Sequence, residues 1–282
     1  MKTKFLKIYL PFVIISFGFV GLYTILHWLI IIKLDLIQPK EMIVNFGIPI
    51  VLSGLFVLFY FRRRIKLLKI SEKSLDFYTF MSWIFFTIPV IIGQFYLENQ
   101  QGKLSKIEKP SQIDFKNQTL FYSIDYALTL NKSGGLWVTR TNADKYGNQV
   151  WITCFFVCPL VDTVPSSYYD SGKFKTWIGV TFAEKFSNRA FDDKEEQKIK
   201  IDKFINSCIP KYENYEYQTD YLRNLKYSDK RDDFYSAIER TKIHADKKEL
   251  IILKEEKGTY ETRAGSSHNW LIGTLFSANL IW

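Results

Sequence analysis

Cysteine, histidine and methionine are scarce in this chain, with three of each among 282 residues. Each scarcity excludes something. An odd set of cysteines, Cys154, Cys158 and Cys208, makes neither a disulfide framework nor a four-ligand zinc site. Cys154 and Cys158 are four residues apart in a segment that reads as a strand, about 13 Å at the usual rise, which is too far to bridge. Buried thiols are the simplest reading, and a bridge from Cys208 to one of the other two stays open. The histidines, His27, His244 and His268, belong to no HExxH, and no carboxylate and histidine set has metal-ligand spacing. A Gly-rich phosphate loop is also missing. Asp192 with Asp193, and Asp232 with Asp233, are neighbours whose side chains diverge on a helix, so neither pair is a catalytic dyad. The sequence therefore offers no catalytic residue, no metal ligand and no cofactor site.

Positive charge is in excess, with a formal net of +9, but it is unevenly placed. From Glu98 to His268 the net charge is only +2. The remaining +7 sits in short segments flanking apolar runs. A phosphate-binding groove needs its charge on the folded domain, so nucleic acid is not an expected partner. Charge beside apolar runs sets membrane topology instead.

Three runs are long enough to span a bilayer, for which about 20 residues suffice. Ile8 to Ile32 is interrupted only by small or weakly polar residues and by His27, and is too long for the apolar core of a signal peptide. Met42 to Phe61 is followed at once by Arg62, Arg63, Arg64, Lys66 and Lys69, then Lys73. Phe77 to Leu97 carries Trp83 and Tyr96 near its ends and Pro89 as an expected kink. By the positive-inside rule the amino terminus and the Arg62 to Lys73 loop are cytoplasmic, and the third span delivers the chain outside. This places the protein in the cytoplasmic (inner) membrane. An ionisable residue within a span is a functional candidate, but His27 beside Trp28 reads better as an anchor reaching the headgroups.

Glu98 to Asp114 has no clear period and reads as a connector. Beyond it the period becomes two. Leu120 to Leu130, Gly135 to Thr141, Val150 to Val161 and Thr176 to Phe186 read as strands, separated by turns such as Asn131 to Gly134 and Ser171 to Gly172. Ile178, Val180 and Phe182 share one face of the last. Helical spacing follows at Asp192 to Cys208, with acids in the first turn, and again at Asp229 to Lys242, before a strand at Glu249 to Lys254. The expected fold is a helical membrane protein with an inserted α+β extracytoplasmic domain: residues 1–97 in the membrane, 98–268 outside, and 269–282 opening a fourth span. Trp270 to Trp282 covers about 20 Å, short of the roughly 30 Å hydrocarbon core, so a continuation is expected.

Tyr212, Tyr215, Tyr217, Tyr221 and Tyr227 alternate with charged residues. Tyr215, Tyr217 and Tyr221 are candidates for a partner-binding surface, since rigid rings give large contact area. They can equally pack into the core with their hydroxyls at its rim.

Three stretches, IIIKLDLIQPKEMIVNFGIP (Ile30 to Pro49), RRRIKLLK (Arg62 to Lys69) and QFYLENQQGKLSKIEKPSQID (Gln94 to Asp114), resemble the amino-terminal region of bacterial rhomboid-family intramembrane serine proteases. The likeness returns faintly at Ser187 to Arg189 and in the apolar terminus. It implies a multi-helix region with an extracytoplasmic insert preceding a catalytic core. The family's serine lies in a GxSx motif on a membrane helix and its histidine on a later one. Gly265, Ser266, Ser267 and His268 spell GxSx, but they precede the last apolar segment, so no catalytic role carries over. The resemblance implies a non-catalytic region that positions or recognises membrane-protein substrates. Without it, the chain reads as a self-standing envelope protein whose outer domain binds a ligand or partner.

Overall fold

The computed structural model describes residues 6, 9–34, 40–163, 174–189, 193–217, 220–226, 228–241, 243, 247–263 and 265–281. The expected turn at Ser171–Gly172, and Asp192, Tyr227 and His244, lie outside them. The chain divides into two compact units, a helical one (residues 1–102 and 261–282) and a sheet unit (residues 103–260).

Among the described residues of the helical unit, three helical stretches are long and apolar enough to cross a membrane: Leu10–Ile31, Ile43–Leu68 and Glu72–Gln100. Their regular cores are α1 (Leu10–His27), α2 (Ile48–Phe56) and α3 (Glu72–Gln101). Wider helical turns over Trp28–Lys33, Ile43–Gly47 and Val57–Phe61 extend the first two. The Ser71 hydroxyl caps α3 by accepting from the Ser74 amide at 3.3 Å, and Pro89 lies inside that helix. Phe12, Phe19, Phe56, Phe61 and Phe86 pack as one aromatic cluster between the helices. Outward-facing Ile14, Leu22, Ile25, Leu52, Phe59 and Phe80 stay exposed, an apolar belt suited to lipid. The Trp83 indole donates to the Ile50 carbonyl at 2.9 Å, and Gly54 faces that indole, where a small residue lets the helices approach. A short helix, α4 (Ser267–Ile281), adds Phe276 against Phe17 and His268 against the Tyr96 ring. The Arg263 guanidinium donates to the Asn99 and Gln100 carbonyls at 2.8 Å, placing a cation at the carboxyl end of α3, where free carbonyls favour it.

Among its described residues the sheet unit has eight strands: β1 (Leu104–Ile107), β2 (Phe121–Ile124), β3 (Leu128–Thr129), β4 (Gly135–Asn142), β5 (Gln149–Val161), β6 (Thr176–Ser187), β7 (Leu222–Asn224) and β8 (Ile251–Glu255). Their order is β1-β2-β7-β8-β6-β5, with β3 and β4 both pairing the far edge of β5. The β1–β2 and β6–β8 pairs are parallel and the others antiparallel.

Two expectations change here. The Leu120 to Leu130 strand is two short strands. It breaks at Asp125 and Tyr126, whose amides bond to the Ile107 and Glu108 carbonyls, and its halves join opposite ends of the sheet. The connector contributes β1, which pairs with β2 from Leu104 opposite Phe121 to Ile107 opposite Ile124. A four-residue strand is too short to show a period.

The sheet is covered on both faces. On one, Cys154, Phe156, Cys158, Ile178, Val180 and Leu253 pack against Cys208 and Tyr212 of α5 (Lys194–Glu213). On the other, Phe155, Val157, Trp177 and Ile252 pack against Phe234, Ala237 and Ile238 of α6 (Arg231–Glu239). Double burial explains why Cys154–Leu160 is an unbroken apolar run, with no polar partner in the alternation. Gly179 is required by this packing, since a Cβ there would stand 2.6 Å from the Phe234 ring.

Candidate functional site

The tyrosines singled out as a partner-binding surface, Tyr215, Tyr217 and Tyr221, are buried to different degrees. Tyr221 is 3% exposed and packs edge-on against Phe121 and Tyr260. Tyr215 and Tyr217 are partly buried against the α5-side core. The Tyr215 hydroxyl bonds to the Glu255 carboxylate; burial and that neighbour both raise its pKa. Tyr221 is thus a core residue, while Tyr215 and Tyr217 lie at the rim of the core and keep part of their surface exposed.

Exposed aromatic surface lies elsewhere, at the β4–β5 turn. Asp144 folds this turn: its Oδ1 accepts from the Tyr146 amide at 3.1 Å and the Asn148 amide at 2.9 Å. Gly147 takes a φ of +70°, open to glycine at little cost. Below it, the Ala143 amide donates to the Gln149 carbonyl at 2.8 Å and closes the hairpin. The result holds Tyr146 81% exposed on an internally bonded turn, with Trp151 41% exposed nearby on β5.

Asn188 ties that turn to the end of β6. Its amide nitrogen donates to the Gly147 carbonyl at 2.7 Å, and its Oδ1 accepts from Arg140 at 2.5 Å. Arg140 and Asn188 line a groove of about 600 Å³ with Arg189, Lys194, Gln197 and Lys198, so four cations border it. A second groove of about 580 Å³ continues along α5. It shares Gln197, and Phe186 and Phe204 form its apolar part. Asp193 caps α5 between the two, accepting from the Glu195 amide at 2.9 Å. The first groove can bind anionic groups beside an exposed ring; the second mixes Glu184, Asp193 and Glu196 with Lys185, Lys200 and Lys203, and Lys200 pairs with Glu196 at 2.6 Å. The usable signal in the sequence was Asn142 to Asn148, a polar run with a central Asp and a Gly, which reads only as a turn. Nothing local shows that the end of β6 and the start of α5 bring three cations, Arg189, Lys194 and Lys198, to Arg140 of β4.

In the helical unit, Arg62, Arg63 and Arg64 stand at the end of the second span, where Arg62 pairs with Asp76 at 2.7 Å and Arg64 covers the Tyr60 ring. Lys66 lies in the following turn and Lys69 ends it with a φ of +52°. His27, read as an outward anchor, is instead 9% exposed, with Nδ1 3.0 Å from Gln94 Nε2. Gln94 Nε2 also approaches the Tyr23 hydroxyl and the Val44 carbonyl, at 3.1 and 3.3 Å, so this polar cluster joins three helical segments. Gly265 has a φ of +52°, and His268 lies against Tyr96 rather than beside a nucleophile from another helix. Among the described residues no group of three or more potential ligands could hold a metal ion.

Comparison with protein-family models, curated proteins and solved structures gives no match, and nothing in them identifies a rhomboid-family relationship. The chain is thus characterised by its own geometry: three helices able to cross a membrane, and a separate mixed sheet with a helix on each face.

Proposed function

We propose that the chain is a non-catalytic membrane module of the inner membrane whose sheet unit, outside the cytoplasm, recognises an acidic segment of a protein partner at the membrane surface. The observation that carries this is the internally bonded turn presenting Tyr146 beside a groove bordered by Arg140, Arg189, Lys194 and Lys198. Tyrosine and arginine are among the residue types that dominate binding energy at protein interfaces. Cationic borders add orientation and a faster encounter with acidic partners. In its narrower form the module is the amino-terminal region of a rhomboid-type serine protease and positions membrane-protein substrates for it. That form rests on the resemblance of Ile30 to Pro49, Arg62 to Lys69 and Gln94 to Asp114. Downstream coding sequence separates the two forms. Further apolar spans with a membrane-embedded GxSx and a later histidine establish the protease, and a stop codon soon after Trp282 leaves a self-standing recognition protein.

Orientation follows from the basic cluster between the second and third spans. Cysteines introduced at Lys132 and Ser71, both exposed, report it. A membrane-impermeant maleimide should label position 132 in intact cells and position 71 only after permeabilisation; the reverse pattern inverts the topology. Partner recognition is tested on the full chain in nanodiscs with a poly-glutamate peptide as the probe. Arg140→Ala with Lys198→Ala should weaken binding by about tenfold or more at low salt, given the coupling expected of close charge pairs. Equal binding by this double variant would sink the groove as the site.

A further inference from the structure

We propose that Cys154 and Cys208 form a disulfide that locks α5 onto the sheet, while Cys158 stays a free thiol. The register of α5 on β5 carries this. Tyr212 stacks on Phe156 with ring centroids 4.5 Å apart, and its hydroxyl donates to the Val157 carbonyl at 3.1 Å. One helical turn back from Tyr212 is Cys208, a step of about 6 Å along the helix axis. Two residues back from Phe156, on the same face of β5, is Cys154, a step of about 6.7 Å. The two steps nearly match, so the register that stacks Tyr212 on Phe156 also sets Cys208 over Cys154. Both residues are fully buried in the same core cluster, and each thiol is among the groups that shift the other's pKa.

Cys158 has other partners. Its thiol donates to Asn131 Oδ1 at 3.3 Å and lies beside the Tyr212 hydroxyl. The odd cysteine is thereby assigned by structure, where spacing alone leaves Cys208 two candidate partners.

Burial raises the pKa of all three thiols, Cys154 and Cys158 to about 12, so thiolate is scarce once α5 has closed on the sheet. Bond formation therefore belongs to the folding chain, while both sulfurs still meet solvent. The oxidant is a disulfide, carried by an oxidoreductase or a small thiol, as found outside the cytoplasm. One cysteine thiolate attacks a sulfur of that disulfide and expels the first thiolate. The second cysteine thiolate then attacks the mixed disulfide and expels the other. Two protein thiols are oxidised, and the two electrons and, by way of solvent, the two protons pass to the oxidant, which leaves as two thiols. Once formed, the bond is sealed from reductants by the same burial.

This inference uses the outer placement of the sheet unit only for its setting in the cell, and two experiments keep the points apart. In the first, the full-length chain in detergent is unfolded with reductant, refolded against a glutathione thiol–disulfide couple, alkylated and mapped as non-reduced peptides. A peptide linking Cys154 to Cys208, with Cys158 alkylated, is expected. It should persist in Cys158→Ala, and reductant under unfolding conditions should then lower the melting temperature of the refolded protein by several degrees. A link that includes Cys158, or three alkylated cysteines, overturns the assignment. In the second, cells are lysed directly into alkylating agent. The same linked peptide supports both the bond and the outer placement. Alkylated Cys154 and Cys208 in cells, from a protein that forms the link on refolding, overturn the outer placement and leave the pairing intact.

Discussion

In the helical unit, buried hydroxyls bond back to their own helix: Ser53 to the Pro49 carbonyl at 2.6 Å, and Thr79, Ser82 and Thr87 to carbonyls four residues earlier at 2.7 Å. In the sheet unit, buried polar groups reach across the fold. Asn224 donates to Gln118 and to the Thr119 carbonyl, Asn131 to the Tyr215 carbonyl at 2.8 Å, and Tyr212 to Val157. The first arrangement satisfies polar groups before any tertiary contact exists, as a chain in lipid requires. The second works only once distant segments have met, so its stability is cooperative and exposed to single substitutions. Gln94 is one exception in the helical unit, since it bonds to groups from two other helical segments; the Ser53 and Thr87 hydroxyls, 2.5 Å apart between the second and third spans, and the Trp83 indole on the Ile50 carbonyl are others.

The contrast breaks most visibly at Gly179. Gly179→Val should drive side-chain atoms into the Phe234 ring and cost the sheet unit about 3 kcal/mol or more. Limited proteolysis should then cut within residues 103–260 and spare the helices. If the helical unit is degraded in parallel, the two do not fold separately.

A smaller effect comes from alkali. Cys158 has its pKa raised from 9.0 to about 12 by burial, so folding favours the neutral thiol. That stability is fully present below pH 9.0 and is lost as the pH rises toward about 12. At about pH 10 the loss amounts to about 1.4 kcal/mol for this one thiol, from proton linkage. Chemical denaturation across this range should show a shallower decline in Cys158→Val. An unchanged slope would mean that the thiol is not held neutral by the fold.

The smallest effect belongs to a self-satisfied hydroxyl. Thr79→Val removes a bond within one turn of α3, and unfolding in detergent should change by only about 0.5 kcal/mol, the scale of such bonds inside membranes. A loss several times larger would show that Thr79 serves another helix, and the contrast between the units would fail there.

The same contrast explains which elements were legible. The three spans could be read because a membrane helix declares itself by composition over about 20 residues. The helix at Lys194–Glu213 declared its helical spacing and its acidic first turn, although the sequence ended it at Cys208 and it runs on through Pro210. The long strands β4, β5 and β6 showed themselves by their β-branched and aromatic content. By contrast β1 and β7, of four and three residues, carry no period, and the break at Asp125 depends on carbonyls from the preceding segment.

What the sequence determined by itself is what local physics fixes: apolar length, the placement of charge at the ends of the spans, and the change of period from helix to strand beyond residue 114. The pairing of strands, the inward turn of His27 toward Gln94, the burial of Tyr221 and the gathering of Cys154, Cys158 and Cys208 into one core were decided only by tertiary structure. The reason is the same in each case. Every one of these depends on a contact between residues far apart in the chain, and a side chain's own neighbours in sequence do not say which distant surface it will meet.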